Sequence, residues 1–395
     1  MRDGGMDVAV IGAGASGIMA AISAARNGAG VQIFEHKESA ANKLLITGNG
    51  KCNYSNIKMD ASCFHSSSDS SGRIGRILDR FDTDKCISFF EELGIKHRNR
   101  RGGIYPYTDT AESVKSALML ELERLKVKLL YNCNGISLSD DRKVNGRIYD
   151  RVIIACGSCV LKKTGSDGSG YSMIKKLGIG LTDIYPALTP LMLKQDVSML
   201  KGIRCEARLK LINGDGEVQE ISYGELQPYE TGFSGICAMD ISGAACRLLG
   251  KGGRAYVETD FLPVFSDEEF AAEIIRRQER FPDRKLSELM TGLFPKKLIN
   301  YLVHPIDTRR ENYIAEFVLN AKHHIYELSG SMTGDFSRAQ TAAGGIPMDS
   351  IDDNCMLKGH DGIYAVGEIL DADGICGGYN LHFAWATGSI AGGGL

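Results

Sequence analysis

The apolar positions of the first 36 residues fall into a strand, a helix and a second strand. Val8, Val10 and Ile11 form an apolar run that leads into glycines. A small-residue helix follows through Ile18, Met19, Ala20, Ala21, Ile22, Ala24 and Ala25, with Gly28 placed to stop it. Val31-Gln32-Ile33-Phe34 reads as the next strand. Helical spacing returns near 83–93 and 111–125, and Val127–Tyr131 and Arg151–Ala155 read as further strands, the latter a short buried run. Strands alternating with helices predict a parallel sheet. The stretch from about 40 to 72, rich in Gly, Asn and Ser, is too long for a simple connector.

The texture changes at about 187. Glu206–Leu211 and Ala255–Thr259 alternate in part, and Asn213-Gly214-Asp215-Gly216 is a strong hairpin turn, so this region reads as an all-β insert. Residues 266–328 turn to charged amphipathic helices. Ser266-Asp267-Glu268-Glu269 is a capping box, Phe270, Ile274 and Ile275 continue one apolar face, and Tyr313–Leu328 suggests another helix. After 340 the glycine-rich α/β texture resumes and ends as a strand followed by a helix. No internal repeat is visible.

Glycine is the compositional outlier: 47 of 395 residues, about 12% against an average near 7%. With only 9 prolines, the excess serves tight turns and close backbone approach to a ligand rather than a linker. Hydrophobic content of 43% and charged content of 24% exclude wholesale disorder. A net charge of −3 argues against a nucleic-acid binder, which carries a basic footprint. Eleven cysteines are scattered without the dense spacing of a disulfide scaffold. A strand-like run from Asp7 leaves no room for a signal peptide, and no apolar stretch reaches the ~20 residues of a membrane helix. The expectation is a cytoplasmic protein with a small-molecule substrate, no nucleic acid and no membrane partner; the oligomeric state is not legible.

Gly12-Ala13-Gly14-Ala15-Ser16-Gly17 is G-x-G-x-x-G between a strand and a helix. Gly12 permits the turn, Gly14 lets a pyrophosphate approach, and Gly17 lets helix and strand pack closely. The phosphates then sit on the helix N-terminus, where N–H groups and the dipole favour negative charge. Glu35 ends the second strand, where a carboxylate can accept bonds from ribose hydroxyls. An acid there disfavours a 2′-phosphate, so the dinucleotide is FAD or NAD. Near the C-terminus, Gly362–Gly367 and Glu368 form an apolar strand ending in Gly and an acid, and Gly377-Gly378-Tyr379-Asn380-Leu381 opens the final helix. An acid at a strand end can bind ribityl hydroxyls, and a helix N-terminus can stabilise the charge of a reduced flavin. A strand and helix that merely complete the sheet is the plainer reading of the same segment.

The chain resembles bacterial FAD-dependent oxidoreductases that include aminoacetone oxidases and flavin reductases of bile-acid dehydroxylation. The resemblance is carried by the first glycine motif, by residues 43–53 (K-L-L-I-T-G-N-G-K-C-N), by Gly103-Ile104-Tyr105-Pro106, by residues 164–171 and 341–346, and by Gly367-Glu368…Gly377-Gly378-Tyr379-Asn380-Leu381. It implies an α/β fold: a Rossmann-like, two-dinucleotide-type FAD domain with an inserted β-barrel-like domain and a small helical insert. The expected boundaries are 1–186 for the first part of the FAD domain and 187–264 for the β insert. The helical insert follows at 265–325, the β insert returns at 326–338, and the FAD domain closes at 339–395. The resemblance places Ala15, Ser16, Glu35, His36, Lys43 and the Gly48-Asn49-Gly50-Lys51-Cys52 loop against FAD, with Ala155, Gly157, Glu368, Gly378, Asn380 and Leu381; the glycine motifs add Gly12, Gly14, Gly17 and Gly367. Departures are Asn42 and Lys51 where Arg is frequent, Cys156 where Thr is usual, and His382 where Gln is common. The chain also stops at Gly394-Leu395, short of the family's usual helix end.

Two residues near the expected flavin face could supply a proton: His382, one turn into the final helix, and Tyr379. Each also reads as a packed side chain. Cys156-Gly157-Ser158-Cys159 has C-x-x-C spacing, but no second such pair or ligand-spaced His accompanies it, so no metal is expected and the thiols read as structural. His323-His324 reads as a solvated helix face and Trp385 as core. The leading function is reduction of an activated C=C bond in a small organic substrate by hydride from flavin N5, with NADH or NADPH visiting transiently, because no second G-x-G-x-x-G appears. The alternatives are an aminoacetone-type amine oxidase using O₂, a tRNA-modifying flavoprotein, which would need a basic surface, and a non-enzymatic FAD module.

Overall fold

The structure is a computed structural model and describes residues 5–394. The chain forms two compact units, one holding the residues up to Ile184 and from Thr341 onward, the other being Tyr185–Gln340.

In the first unit five strands make one parallel sheet in the order Ile363–Ala365, Arg151–Ile154, Asp7–Ile11, Gly30–Phe34, Lys128–Leu130. Parallel strands are covered on both faces, which is why Val152-Ile153-Ile154 shows no alternation and is fully buried. Helix Ala15–Arg26 follows the first strand, and the last helix is Tyr379–Gly392, with Gly393 as its C-cap; Leu395 lies outside the described residues. From Phe383 to Gly392 every residue of the last helix is buried, Trp385 included. The two helices approach closely because both use small residues: a Cβ on Gly388 would collide with the carbonyl oxygen of Ser16, and one on Gly392 would lie 2.5 Å from that of Ala20. The contacts advance together along both chains, so the helices run in the same sense. Helices Thr83–Glu92 and Ala111–Arg124 occupy the spans set by their apolar spacing, N-capped by Asp82 and Thr110. The glycine- and serine-rich stretch after residue 40 is ordered by pairing: Ser55–Asn56 with Gly103–Pro106, and Phe64–His65 with Asp373–Gly374.

The second unit is a six-stranded antiparallel sheet in the order Leu191–Met192, Gly232–Ser234, Val218–Tyr229, Cys205–Asn213, Ala255–Asp260, His324–Glu327. Helices Asp267–Arg280, Lys296–Val303 and Tyr313–Lys322 place Phe270, Ile274, Leu302 and Phe317 in the same core as Leu209, Leu211, Val257 and Tyr326. The helix read over Tyr313–Leu328 stops at Lys322, and His324–Glu327 is a strand paired with Tyr256–Thr259. Nor is His323-His324 a solvated face. His323 lies between Glu258 (3.1 Å) and Asp267 (2.8 Å), and His324 stacks on Tyr326 at 4.5 Å. Lys322 is 1% exposed and pairs with buried Asp260 at 2.9 Å, its remaining protons taken by the carbonyls of Leu262 and Phe265.

Candidate cofactor site

The first glycine loop has the shape its sequence requires. Gly12 has φ +106, and a Cβ there would lie 2.5 Å from the carbonyl oxygen of Ala155. A Cβ on Gly17 would collide with the carbonyl oxygen of Gly12, whereas one on Gly14 meets nothing within 4 Å. Gly14 thus faces open space at the N-cap, where no side chain caps the helix. The first intrahelical bond is Ile18 N–H to Gly14 O at 3.0 Å, which leaves the amides of Ala15 and Ser16 without helical acceptors. The Ser16 hydroxyl turns inward to the carbonyl of Val366 (3.4 Å), which leaves the backbone amides, not this side chain, at the open end of the turn.

Glu35 is 8% exposed and accepts from the amides of Ala13 (2.8 Å, Oε2) and Lys37 (2.8 Å, Oε1). Each oxygen keeps a lone pair for a ribose hydroxyl. His36 stands beside it, 3.8 Å from Glu35 and 3.6 Å from Asp167. Its Nε2 is buried without a hydrogen-bond partner. Lys43 and Glu368, 325 positions apart, pair at 2.5 Å. The other oxygen of Glu368 accepts from Ser158 Oγ (2.7 Å), Thr341 Oγ1 (3.0 Å) and the Ala342 amide (3.3 Å). Ser158 and Thr341 were missed by sequence reasoning. Both lie in or beside motif segments, but only the fold brings them to one carboxylate. Ala155 and Gly157 follow the neighbouring strand, which ends at Ile154, and a Cβ on Gly157 would meet Ser166 Oγ at 2.9 Å.

The last helix starts at an uncapped Gly378 with φ +96, and its first intrahelical bond is His382 N–H to Gly378 O at 3.0 Å. The amides of Asn380 and Leu381 therefore lack helical acceptors. Gly388 abuts Ser16 and the helices run in the same sense, so Tyr379 lies about 13 Å beyond Ser16 along the axis at 1.5 Å per residue. Two bare helix N-termini open toward one end of the unit, offset along it. That spacing suits an extended dinucleotide, its pyrophosphate on one terminus and its ring on the other.

Two expected side chains are committed elsewhere. Asn380 pairs in both directions with the Gly374 backbone, donating to O (2.7 Å) and accepting from N–H (2.9 Å), which fixes its side chain and leaves its backbone amide open at the helix start. His382 is fully buried. Its Nε2 can only donate to the Phe81 carbonyl (2.8 Å), so Nδ1 accepts from Ser55 Oγ (2.8 Å). Burial pushes its pKa down to about 4, and the imidazole is neutral and locked. Of its two readings, donor and packed side chain, this geometry supports the second. Tyr379 is 5% exposed and packs edge-on to Phe64 at 6.1 Å.

In the loop Leu44–Gly50 the backbone enters the left-handed region at Gly48, Asn49 and Gly50, and again at Cys52. The Cys52 thiol is fully buried, which pushes its pKa up to about 12. Burial does the same to Cys156, whose thiol donates to the Ile11 carbonyl at 3.5 Å, and raises Cys159 as well. Neither has the depressed pKa of a redox thiol. Asp371, in the same C-terminal motif as Glu368, was also missed: one of its oxygens gathers Ser66, Ser67 and Ser68. Among the described residues no group of three or more His, Cys, Asp or Glu could hold a metal.

A parallel α/β sheet, a glycine cradle, a strand-end carboxylate and a second bare helix terminus define a flavoprotein that binds FAD. Residues 6–394 match the family described as HI0933-like protein Rossmann domain. A 3-dehydro-bile acid delta(4,6)-reductase of Clostridium scindens is 36% identical over 405 aligned positions, 98% of this chain and 98% of that protein. A ribosomal RNA dihydrouridine synthase of Haemophilus influenzae is 25% identical, covering 96% of this chain and 95% of its own. Among solved structures, the open conformation of a flavocytochrome c3 fumarate reductase aligns with TM-score 0.49 and 16% identity, over 99% of this chain and 78% of that one. The chain belongs to the HI0933-like Rossmann family. It is an FAD-dependent oxidoreductase. Among the described residues no helix is long and apolar enough to cross a membrane.

Proposed function

We propose that the chain saturates an activated carbon–carbon double bond in a small organic substrate of steroid or comparable size, with NADH or NADPH as reductant. The observation that carries this is the 36% identity, over the whole of both chains, to a protein named as a bile-acid delta(4,6)-reductase. The second relative is named for making dihydrouridine, also saturation of a C=C bond, which favours this chemistry over amine oxidation. Bound FAD would supply hydride from N5.

The chain's own part is holding and charge placement. The amides of Gly14, Ala15 and Ser16 would take the pyrophosphate, with Gly12 and Gly17 shaping the turn. Glu35, beside His36, would take the adenosine ribose. Glu368, held by Lys43, Ser158 and Thr341 at the end of the strand that leads to Gly367, would orient ribityl hydroxyls through its less crowded oxygen. The Gly48–Cys52 loop, with Ala155 and Gly157, would line the cofactor. The amides of Asn380 and Leu381 after Gly378 would face the flavin pyrimidine edge, where a helix N-terminus stabilises negative charge by up to about 2 kcal/mol. Anaerobic stopped-flow absorbance at the flavin band tests the reading. Fast bleaching by NADH or NADPH and fast recovery with a conjugated enone support it; bleaching only by amines, with rapid recovery in O₂, overturns it.

A further inference from the structure

The whole-chain charge of −3 conceals Lys96-His97-Arg98-Asn99-Arg100-Arg101, four cations in six residues with no acid. The segment is the first strand and turn of the hairpin His97–Arg100/Gly103–Pro106. Two carboxylates answer it: Glu91 takes Lys96 and His97 at 2.8 Å each, and Asp109 takes Arg98 (3.2 Å) and Arg100. Four cations against two carboxylates leave two positive charges over. Exposed Arg101 at the tip has no acidic partner among the described residues, and neither does exposed Lys58. The tip is held in place: Asn99 Oδ1 accepts from Gly102 N–H (3.0 Å), and Gly102 O accepts from Ile57 N–H (2.9 Å). It is also joined to the cofactor cradle. A Cβ on Gly102 would lie 3.2 Å from Asn56 Oδ1, and Asn56 Nδ2 donates to the Gly377 carbonyl (2.9 Å), next to the Gly378 cap. On the next strand of the hairpin, the Tyr105 ring lies 3.5 Å from where a Cβ of Gly48 would stand.

We propose that this tip, Arg100 and Arg101 with Lys58 beside it, docks the pyrophosphate of the nicotinamide dinucleotide that reduces the flavin. The proposal rests on the reductase reading. The chain holds one glycine-rich dinucleotide motif, and FAD takes it, so a second dinucleotide needs a different phosphate anchor. Arg101, unpaired among the described residues, and Arg100, which shares Asp109 with Arg98, give the hairpin a surplus that with the four cations and two carboxylates comes to two charges, matching the two of a pyrophosphate; a polynucleotide footprint of roughly 6–10 phosphate contacts is larger than this patch.

The test uses FAD-loaded protein with two hydride donors, NADH (or NADPH) and the phosphate-free 1-benzyl-1,4-dihydronicotinamide, mixed anaerobically. Arg101→Ala should raise the half-saturating NADH concentration about tenfold, the worth of one charge-assisted bond, and Arg100→Ala/Arg101→Ala more. The wild-type preference for NADH over the phosphate-free donor should fall in step and should also fall with added salt. Binding of ADP-ribose to the oxidised protein, measured by calorimetry, should weaken by the same factor. Wild-type-like NADH saturation and ADP-ribose binding in both variants overturn the docking site, and so does loss of binding to an RNA hairpin with NADH kinetics intact. If neither donor bleaches wild-type flavin, the reductase reading fails on its own. The ADP-ribose titration then still decides the docking, which is overturned if the variants bind as wild type does.

Discussion

His382 offers the sharpest test of how the last helix is used. Its ring has one donor bond to a carbonyl and one acceptor bond from a serine, and burial pushes its pKa down to about 4. In the unfolded chain the same side chain titrates near 6.5. The sign follows from which state binds the proton. Above pH 6.5 neither state carries it, and the stability is fully present. As pH falls below 6.5 the unfolded chain takes up a proton that the folded chain refuses, so stability declines until the folded ring also protonates near pH 4. At about 1.4 kcal/mol per tenfold the gap sets a ceiling of about 3 kcal/mol, of which about 2 kcal/mol is lost by pH 5. Urea unfolding of wild type and His382→Gln at pH 8 and pH 5 measures it. The Gln side chain keeps a donor for Phe81, so the variant loses about 1 kcal/mol at pH 8 and shows a pH 8-to-5 drop about 2 kcal/mol smaller than wild type. Two-bond ¹H–¹⁵N spectra of labelled histidine should show one ring, absent in the variant, in the Nε2–H form down to pH 5. A midpoint near 6.5 for that ring, or equal pH dependence in both proteins, refutes the locked neutral imidazole. A variant that folds and holds FAD but cannot reduce an enone would restore His382 as the donor.

Other outcomes follow from single contacts. Gly17→Ala forces a methyl onto the carbonyl of Gly12; purified protein should be close to colourless, and its thermal midpoint should drop with a cost of about 1–3 kcal/mol. Asn380→Asp sets a carboxylate against the Gly374 carbonyl in place of an N–H, and should cost on the order of 2 kcal/mol and weaken FAD binding, read by flavin fluorescence on dilution. Cys156→Ser with Cys159→Ser should leave the stoichiometry of anaerobic flavin reduction at two electrons, because both thiols stay protonated at neutral pH; uptake of two further electrons in the wild type alone would identify a redox dithiol. Lys322→Met strands buried Asp260 with only half-exposed Arg208 as a cation; a loss of about 3–5 kcal/mol is expected in urea unfolding of the second unit.

What the sequence discloses about the site depends on whether a feature is closed within a short stretch of chain. Gly12, Gly14 and Gly17 specify a turn by themselves, and Glu35 ends the strand that the turn's own helix leads into, so the first half of the cradle was legible. The strand at His324–Glu327 was not. Its residues continue the apolar spacing of helix Tyr313–Lys322, and only pairing with Tyr256–Thr259 makes them extended. The locking of His382 was hidden for the same reason: its partners Ser55 and Phe81 lie 327 and 301 positions away. Asn380 is different, since Gly374 is only six positions off. There the motif was legible, but the side chain's bonds to the Gly374 backbone were not, because an amide that closes a turn and an amide that binds a ring look alike in sequence. The offset of the two helix N-termini rests on Gly388 and Gly392 in a stretch that no binding motif covers. Those glycines let the last helix slide against the first until its N-terminus projects about 13 Å past Ser16. A larger residue at either position would push the helices apart and move the second N-terminus off the line of the first. Packing residues that touch no ligand therefore set how much of a cofactor the cradle can span.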